Sequence, residues 1–141
     1  MRFWDTSAVV PLVAIEPGTS RVRRLLDADP AMVVWWATRT EIVSAIARQA
    51  RDGTLDPTQA SLVRGVLDAL STSWSEVVPS ARVRDRAERL LHVHPLRAAD
   101  AFQLAAALLW SRGQPTGREL VSFDDRLRTA AGKEGFLVLP N

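Results

Sequence analysis

Short, mostly apolar runs alternate with longer segments along the chain, and each run has the length of a buried strand. Runs of four or five such residues between polar or glycine-rich segments are typical of strands. The pattern predicts strands at residues 2–5, 32–36, 120–123 and 136–139. A further run, residues 74–78, is compatible with either a short strand or an irregular connection.

The segments between these runs place apolar residues at the three- and four-residue spacing of an amphipathic helix. In residues 20–28, for example, Val22, Leu25 and Leu26 alternate with arginines. The spacing predicts seven helices, at about residues 7–15, 20–28, 38–51, 57–71, 80–91, 97–111 and 124–133. Strands that alternate with helices predict an α/β fold, with a mainly parallel central sheet of four or five strands and helices on both faces.

Length and composition are those of an ordinary globular protein. The chain has 141 residues, of which 47% are hydrophobic and 24% charged. A chain of this length buries roughly 70% of its unfolded surface when it folds as one unit. We therefore expect a single domain that spans residues 1–141.

The absence of cysteine excludes disulfides, thiolate zinc sites and a cysteine nucleophile together. The two histidines, His92 and His94, stand close together before Pro95 and lack the further ligands of a zinc site. The remaining metal ligands are carboxylate oxygens, which suit Mg²⁺ or Mn²⁺.

Targeting signals are not evident in the sequence. A strand predicted from residue 2 leaves no room for a signal peptide. The longest uncharged apolar stretch, Leu104–Trp110, is far shorter than the roughly 18 residues of a membrane span. We therefore expect a cytoplasmic protein with no membrane association.

The basic residues are almost all arginine. The formal net charge is only +2, yet the sequence pI is near 10.3, because Lys133 is the one lysine among 18 basic residues. Guanidinium groups are well suited to phosphate contacts. The bias is compatible with a nucleic-acid partner without requiring one.

Four acidic residues occupy positions that an α/β fold brings to one edge of the sheet. They follow predicted strands or lie in the first turn of predicted helices, and they are Asp5, Glu41, Asp100 and Asp124. In an open parallel sheet, the carboxyl ends of strands and the N-termini of helices face the same crevice. Carboxylates gathered there repel each other unless a cation joins them. The set therefore predicts a divalent-metal site.

Two of these acids have structural alternatives on their own helices. The Thr38–Glu41 pair matches a capping box, in which the glutamate stabilises the helix start. Asp100 shares the apolar face of its helix with Leu104, so its charge requires a partner or a metal. Arg97, or the dipole at the helix start, could satisfy Asp100 instead.

The other two acids could be helix N-caps. Asp5 precedes the first predicted helix and could cap it, although Ser7 could perform that capping and leave Asp5 free. Asp124 could likewise cap the last helix, where Asp125 is a near-duplicate. The combination of four acids carries more weight than any one of them.

The tryptophans are expected to be core side chains. Trp4, Trp35 and Trp36 lie in predicted strands, and Trp110 ends the most apolar helix. The alternation of aromatic and basic residues that marks a single-strand nucleic-acid surface is not visible.

Several motifs follow one another in order along the chain: Phe3-Trp4-Asp5-Thr6-Ser7-Ala8, Thr40-Glu41, residues 96–107 around Asp100, and Val121-Ser122-Phe123-Asp124-Asp125-Arg126-Leu127. They resemble the motifs of PIN-domain nucleases, and more narrowly those of the VapC-type toxins of bacterial toxin–antitoxin pairs. The resemblance covers nearly the whole chain in the expected order, as far as residues 134–140.

The resemblance implies a PIN-like fold and a metal-dependent endoribonuclease. It assigns catalysis and the binding of one or two Mg²⁺ or Mn²⁺ ions to Asp5, Glu41, Asp100 and Asp124. Thr6 and Ser122 match hydroxyl positions that orient a carboxylate or touch the scissile phosphate, whereas Asp125 matches a variable position. The implied products carry 5′-phosphate and 3′-hydroxyl ends.

The resemblance also implies partners. VapC-type toxins form homodimers and are silenced by a small antitoxin whose C-terminal tail crosses the active-site groove. For this chain we expect the antitoxin to contact apolar surfaces of the second and third helices, around Ile42 and Ile46. Transfer, ribosomal and messenger RNA are all compatible substrates, because phosphate contacts do not read sequence.

Other functions fit the residues less well. A phosphoaspartate phosphatase would carry a second aspartate where Ser7 stands, and a response-regulator receiver would have an acidic pair beside its first strand. A non-catalytic PIN-fold module for RNA or protein binding is the remaining alternative. The intact set of four acids argues against it.

Overall fold

The computed structural model describes residues 1–141 and contains five strands and seven helices. In chain order they are β1 (Arg2–Trp4), α1 (Thr6–Val13), α2 (Thr19–Ala28), β2 (Met32–Trp35), α3 (Thr38–Arg51), α4 (Pro57–Ser71), β3 (Ser75–Val77), α5 (Ala81–Val93), α6 (Ala98–Trp110), β4 (Glu119–Val121), α7 (Asp125–Glu134) and β5 (Leu137–Leu139). The predicted α/β fold is confirmed, and the ambiguous segment at residues 74–78 contains an edge strand.

The strands form one parallel sheet in the order β3-β2-β1-β4-β5. The central strand β1 pairs with β2 through Phe3 and Val33, and with β4 through Phe3 and Leu120. The chain builds the sheet outwards from β1 in one direction and then returns to add β4 and β5 on the other side. Ligands bind parallel sheets where the strand order reverses, outside the carboxyl ends of the strands. That point lies between β1 and β4.

Two apolar cores lie on opposite faces of the sheet. Neighbouring residues of a strand point to opposite faces, so Phe3 belongs to one core and Trp4 to the other. The first core packs the sheet against α5, α6 and α7, and the second packs it against α1, α3 and α4. Complete burial of side chains such as Leu104 and Ile42 stabilises the fold by roughly 1.5–3 kcal/mol each.

Trp36 corrects the expectation that the tryptophans belong to the core. Trp4, Trp35 and Trp74 are buried, but Trp36 is 53% exposed. The strand β2 ends one residue earlier than the apolar run, at Trp35, which pairs with Val77. Trp36 therefore lies in the connection to α3 and at the surface.

The expectation that Ile42 and Ile46 lie at an apolar surface is also wrong. Both side chains are buried in the second core, with 0% and 4% exposure. The exposed apolar side chains on this side of the molecule are Ile15, Leu62 and Val66.

None of the helices combines the length and apolar character that a membrane-spanning helix requires.

Candidate active site

All four predicted acids line one cavity of about 550 Å³ at the carboxyl edge of the sheet. The acids are Asp5, Glu41, Asp100 and Asp124. Asp5 directly follows β1, Asp124 directly precedes α7, and the other two lie in the first turns of α3 and α6. The fold therefore brings together residues that are up to 119 positions apart, since 124 minus 5 is 119.

Asp5 is a buried carboxylate held by hydroxyl groups. Asp5 is only 5% exposed. Its Oδ2 accepts hydrogen bonds from Ser7 Oγ at 2.5 Å and from Ser122 Oγ at 2.9 Å. Asp5 also caps α1 by accepting from the Ser7 amide at 3.2 Å. Of the two alternatives, capping by Asp5 is the one realised, and Asp5 combines capping with its place in the cavity.

The protonation of Asp5 differs from that of an ordinary aspartate. Burial raises the pKa of the Asp5 carboxyl from 3.8 to about 6. Hydrogen bonds from Ser7 and Ser122 partly oppose this shift, and the negative charge of Glu41 adds to it. A buried carboxyl beside a second carboxylate is a frequent feature of functional sites.

Ser122 connects two of the acids. Its hydroxyl donates to Asp5 Oδ2 and accepts from the Asp124 amide at 3.0 Å. Ser122 is 0% exposed, so in this structure its hydroxyl holds the Asp5 carboxylate and the backbone at Asp124. Ser7 belongs to the same network, because its hydroxyl accepts from the Phe123 amide at 2.9 Å. Sequence reasoning overlooked this role of Ser7.

Glu41 is held by partners from outside its own helix. Thr6 Oγ1 donates to Glu41 Oε2 in a short hydrogen bond, and Gln103 Nε2 donates to the same oxygen at 3.1 Å. Helix α3 begins at Thr38 after Ala37, and no side chain caps it. The capping-box alternative for Glu41 is therefore not realised, and its carboxylate faces the cavity.

Gln103 is a residue of this network that sequence reasoning missed. Its amide is 1% exposed, and Nε2 lies 2.9 Å from Thr6 Oγ1 and 3.1 Å from Thr38 Oγ1. Gln103 Oε1 is buried without a hydrogen-bond partner. The available signal was a glutamine one turn after Asp100 on the most apolar helix, where a polar side chain requires a reason.

Asp100 and Asp124 form the more open half of the site. Partial burial raises the pKa of Asp100, and the negative charge of Asp124 raises it further. The Arg97 backbone amide donates to Asp100 Oδ2 at 3.3 Å, so the hydrogen bond between these two residues is made by the Arg97 backbone and not by its guanidinium. Asp124 also caps α7 through the Leu127 amide at 2.8 Å.

Guanidinium groups surround this open half. Arg97 and Arg126 line an adjoining cavity of about 460 Å³ together with Asp100 and Asp124. Asp125 is exposed on its outer rim and is absent from the cavity of the four acids. Arginines in this position favour a negatively charged ligand such as a phosphate.

The donor chemistry fits a hard divalent cation. All donors are carboxylate oxygens, and the acids fall into two electrostatically coupled pairs, Asp5 with Glu41 and Asp100 with Asp124. No group of three such side chains is close enough to hold a metal ion as they stand. An ion would relieve the repulsion within the pairs, and side-chain rotations would have to complete its coordination.

Comparison with known proteins identifies relatives across the chain. The sequence model of the PIN domain matches residues 2–133. Ribonuclease VapC45 and ribonuclease VapC49, both from Mycobacterium tuberculosis, are each 33% identical to this chain over 141 residues. Each alignment covers 98% of this chain and 94% of the relative.

Solved structures share the fold at lower sequence identity. FitAcB from Neisseria gonorrhoeae matches with a TM-score of 0.70 and 17% identity, covering 99% of this chain and 97% of that chain. VapC20 from Mycobacterium tuberculosis, described as a sarcin-ricin loop cleaving toxin, matches with a TM-score of 0.67 and 19% identity, covering 97% of both chains. A toxin–antitoxin complex from Klebsiella pneumoniae also has a TM-score of 0.67, with 18% identity and coverage of 99% of this chain and 97% of that chain. The resemblance found in the sequence is confirmed: the chain belongs to the PIN-domain family.

Proposed function

We propose that this chain is a metal-dependent endoribonuclease toxin that a cognate antitoxin neutralises. The observation that carries the proposal is the convergence of four carboxylates on one cavity at the point where the strand order reverses. The two relatives that share 33% identity over nearly the whole chain are named VapC ribonucleases, which supports the activity. A structural neighbour described as a toxin–antitoxin complex supports the regulation.

Water is the nucleophile that the site allows. The chain has no cysteine, and Ser7 and Ser122 are engaged in hydrogen bonds to Asp5. His94 is bonded to Glu134, away from the cavity, and no histidine lines the cavity itself. We infer attack by water on the phosphorus, which breaks the P–O3′ bond and leaves 5′-phosphate and 3′-hydroxyl ends.

One or two Mg²⁺ or Mn²⁺ ions would be held by the four acids, Asp5, Glu41, Asp100 and Asp124. When bound, such an ion lowers the pKa of water and neutralises charge on the reacting phosphate. Thr6 and Ser122 keep the Glu41 and Asp5 carboxylates oriented towards the cavity. Arg97 and Arg126 can then contact the phosphate beside the open pair.

The antitoxin would use an apolar cavity that leads into the site. This cavity measures about 660 Å³ and is lined by Ile15, Leu62 and Val66 among others. Glu16 and Gln49, which are hydrogen-bonded at 2.8 Å, line both this cavity and that of the four acids. A peptide anchored on the apolar side chains could therefore extend directly over the carboxylates.

Two further assignments accompany the proposal. We infer that the protein acts as a homodimer built from one PIN domain per chain, and sedimentation at several concentrations tests this. A ribonuclease that acts on cellular RNA would work in the cytoplasm. Both assignments stay predictions.

The decisive experiment incubates the purified protein with total bacterial RNA in Mg²⁺, Mn²⁺ or EDTA, beside an Asp100→Asn variant. Discrete fragments that need the metal and vanish in the variant would support the proposal, and mapping their ends would test the product chemistry. The alternative is a non-catalytic RNA- or protein-binding module. A folded protein that neither cleaves RNA nor binds metal in calorimetry would support that module over the ribonuclease.

A further inference from the structure

We propose that Trp36 is a stacking platform for one unpaired RNA base beside the cleaved bond, with Arg84 contacting the adjoining phosphate. The inference rests on the proposed ribonuclease function and specifies how the substrate is held. Unpaired bases bind aromatic side chains because every base has a π face, so such a platform selects single-stranded RNA without reading its sequence strictly.

The backbone holds Trp36 at the surface. Its amide donates to the Val77 carbonyl at 3.1 Å, directly after the last residue of β2. The residue is 53% exposed, whereas Trp4, Trp35 and Trp74 are at most 9% exposed. An exposed indole on a fixed connection presents a large apolar face at little conformational cost.

A cavity of about 690 Å³ lies against this side chain. Trp35 and Phe102 also line it, and their rings are parallel, with centroids 5.7 Å apart. Pro79 and Ala98 contribute further apolar surface. The volume falls in the usual range of small-ligand sites, and a mostly apolar lining with three aromatic rings suits a planar ring.

The cavity adjoins the candidate active site. Glu41 and Ala99 line both this cavity and that of the four acids. The Glu41 amide donates to the Ala37 carbonyl at 3.0 Å, so Glu41 lies one helical turn from the residue after Trp36. The proposal therefore places a base on Trp36 in a nucleotide near the phosphate at the acids.

A positive charge in the same cavity fits the same ligand. Arg84 lines the cavity, and its side chain is 64% exposed. Its one ion pair is a distant contact of 3.9 Å with Asp85 on the same helix, which leaves the guanidinium available. An exposed indole and a free guanidinium in one cavity suit a base together with its attached phosphate.

Binding of short single-stranded RNA tests the platform directly. The assay uses a fluorescein-labelled oligonucleotide in Mg²⁺ with the full-length Asp100→Asn protein, so that binding is measured without cleavage. Adding Trp36→Ala is expected to raise Kd about tenfold, within the range measured for loss of one stacked base. Trp36→Phe retains a ring and should stay within about threefold. Leu137→Ala removes an equally exposed apolar side chain at the opposite sheet edge and should leave Kd unchanged.

The outcomes separate this inference from the proposed function. Wild-type affinity in Trp36→Ala, together with unchanged kcat/KM for RNA in the Trp36→Ala single variant, would overturn the platform and leave the ribonuclease intact. A Trp36→Ala protein that loses self-association in sedimentation, yet binds RNA like the parent, would show an interface between copies instead. Failure of the wild-type protein to bind or cleave any RNA would remove the proposed function itself.

Discussion

Burial of Asp5 makes the stability of the metal-free protein depend on pH. The folded pKa of about 6 lies above the ordinary value of 3.8, so the folded state holds this proton more tightly than the unfolded state. The resulting stabilisation is fully present below pH 3.8 and is lost as the pH rises through 6. Its total is about 3 kcal/mol, of which about 2 kcal/mol falls between pH 4 and pH 7.5.

Asp5→Asn removes this dependence because asparagine does not ionise. Relative to the wild type, the variant should gain about 2 kcal/mol of unfolding free energy between pH 4 and pH 7.5. The measurement is urea denaturation of both proteins in EDTA at several pH values. Parallel curves for the two proteins across this range would show that Asp5 titrates as an ordinary aspartate.

Gln103 is expected to position Glu41 and Thr6 without contacting substrate. Gln103→Met keeps the side-chain volume but removes the amide donor, which leaves three oxygens without their shared partner. We expect a loss of about 1–3 kcal/mol in unfolding free energy. In RNA cleavage, kcat should fall while KM stays nearly constant.

The matched control for this variant is Gln114→Met, in an exposed loop, which should change neither quantity. A Gln103→Met protein with normal kcat would limit this residue to a role in packing.

The sequence pointed to the four acids and, through the family resemblance, to Thr6 and Ser122, but not to Ser7 or Gln103, which complete the network. Position relative to strand ends was enough to predict that Asp5 and Asp124 converge, because parallel strands end at one edge. The hydrogen bond from Gln103 to Glu41 was not predictable, since the two residues lie 62 positions apart in the sequence. The local sequence pattern suggested only a capping box between Thr38 and Glu41. The structure contains the long-range hydrogen bond from Gln103 to Glu41 instead.

The connection before α2 packs directly against the start of the site. Gly18 has φ of 95°, and a Cβ placed there would lie 2.9 Å from the ring of Phe123. Phe123 directly precedes Asp124 in the chain. Packing between these two segments therefore helps to place one of the four acids.

Gly18→Ala should destabilise the protein by about 2–4 kcal/mol, because backbone strain and displacement of Phe123 add together. Gly53→Ala is the control, since Gly53 has a similar φ of 83° with nothing near the added Cβ. That variant should lose only about 1–2 kcal/mol. Thermal unfolding measures the stability of both variants. Equal losses of stability would show that the Phe123 ring moves aside at no energetic cost. Cleavage should fall only in Gly18→Ala.

Helices were easier to predict than strand ends. Long amphipathic periods located all seven helices, whereas the apolar run at residues 32–36 did not reveal that β2 stops at Trp35. That boundary is set by pairing with β3, whose Ser75 and Glu76 are exposed and carry little hydrophobic signal. Strand ends depend on a neighbour that is distant in sequence, so the exposed position of Trp36 was not foreseeable.

The order of the strands has the same non-local origin. Alternation of strands and helices predicted a parallel sheet, but nothing in the pattern specifies that β1 lies between β2 and β4. That order places the reversal point beside Asp5, and it distributes the charges of the whole molecule. Carboxylates gather in the crevice, while arginines such as Arg97, Arg126 and Arg84 stand around it.

We expect this distribution to make the proposed RNA binding sensitive to salt. A protein that neutralises phosphates of a single strand releases counterions, and log K falls with log salt by about 0.7 for each phosphate contacted. Arg126→Gln removes one guanidinium from the crevice, so the slope should become shallower by about 0.7. Arg64→Gln, on the exposed surface of α4, should leave the slope unchanged. The measurement is Kd of the Asp100→Asn protein for single-stranded RNA at several KCl concentrations. Equal slopes for the two variants would mean that the phosphate path avoids Arg126 and crosses another part of the basic surface.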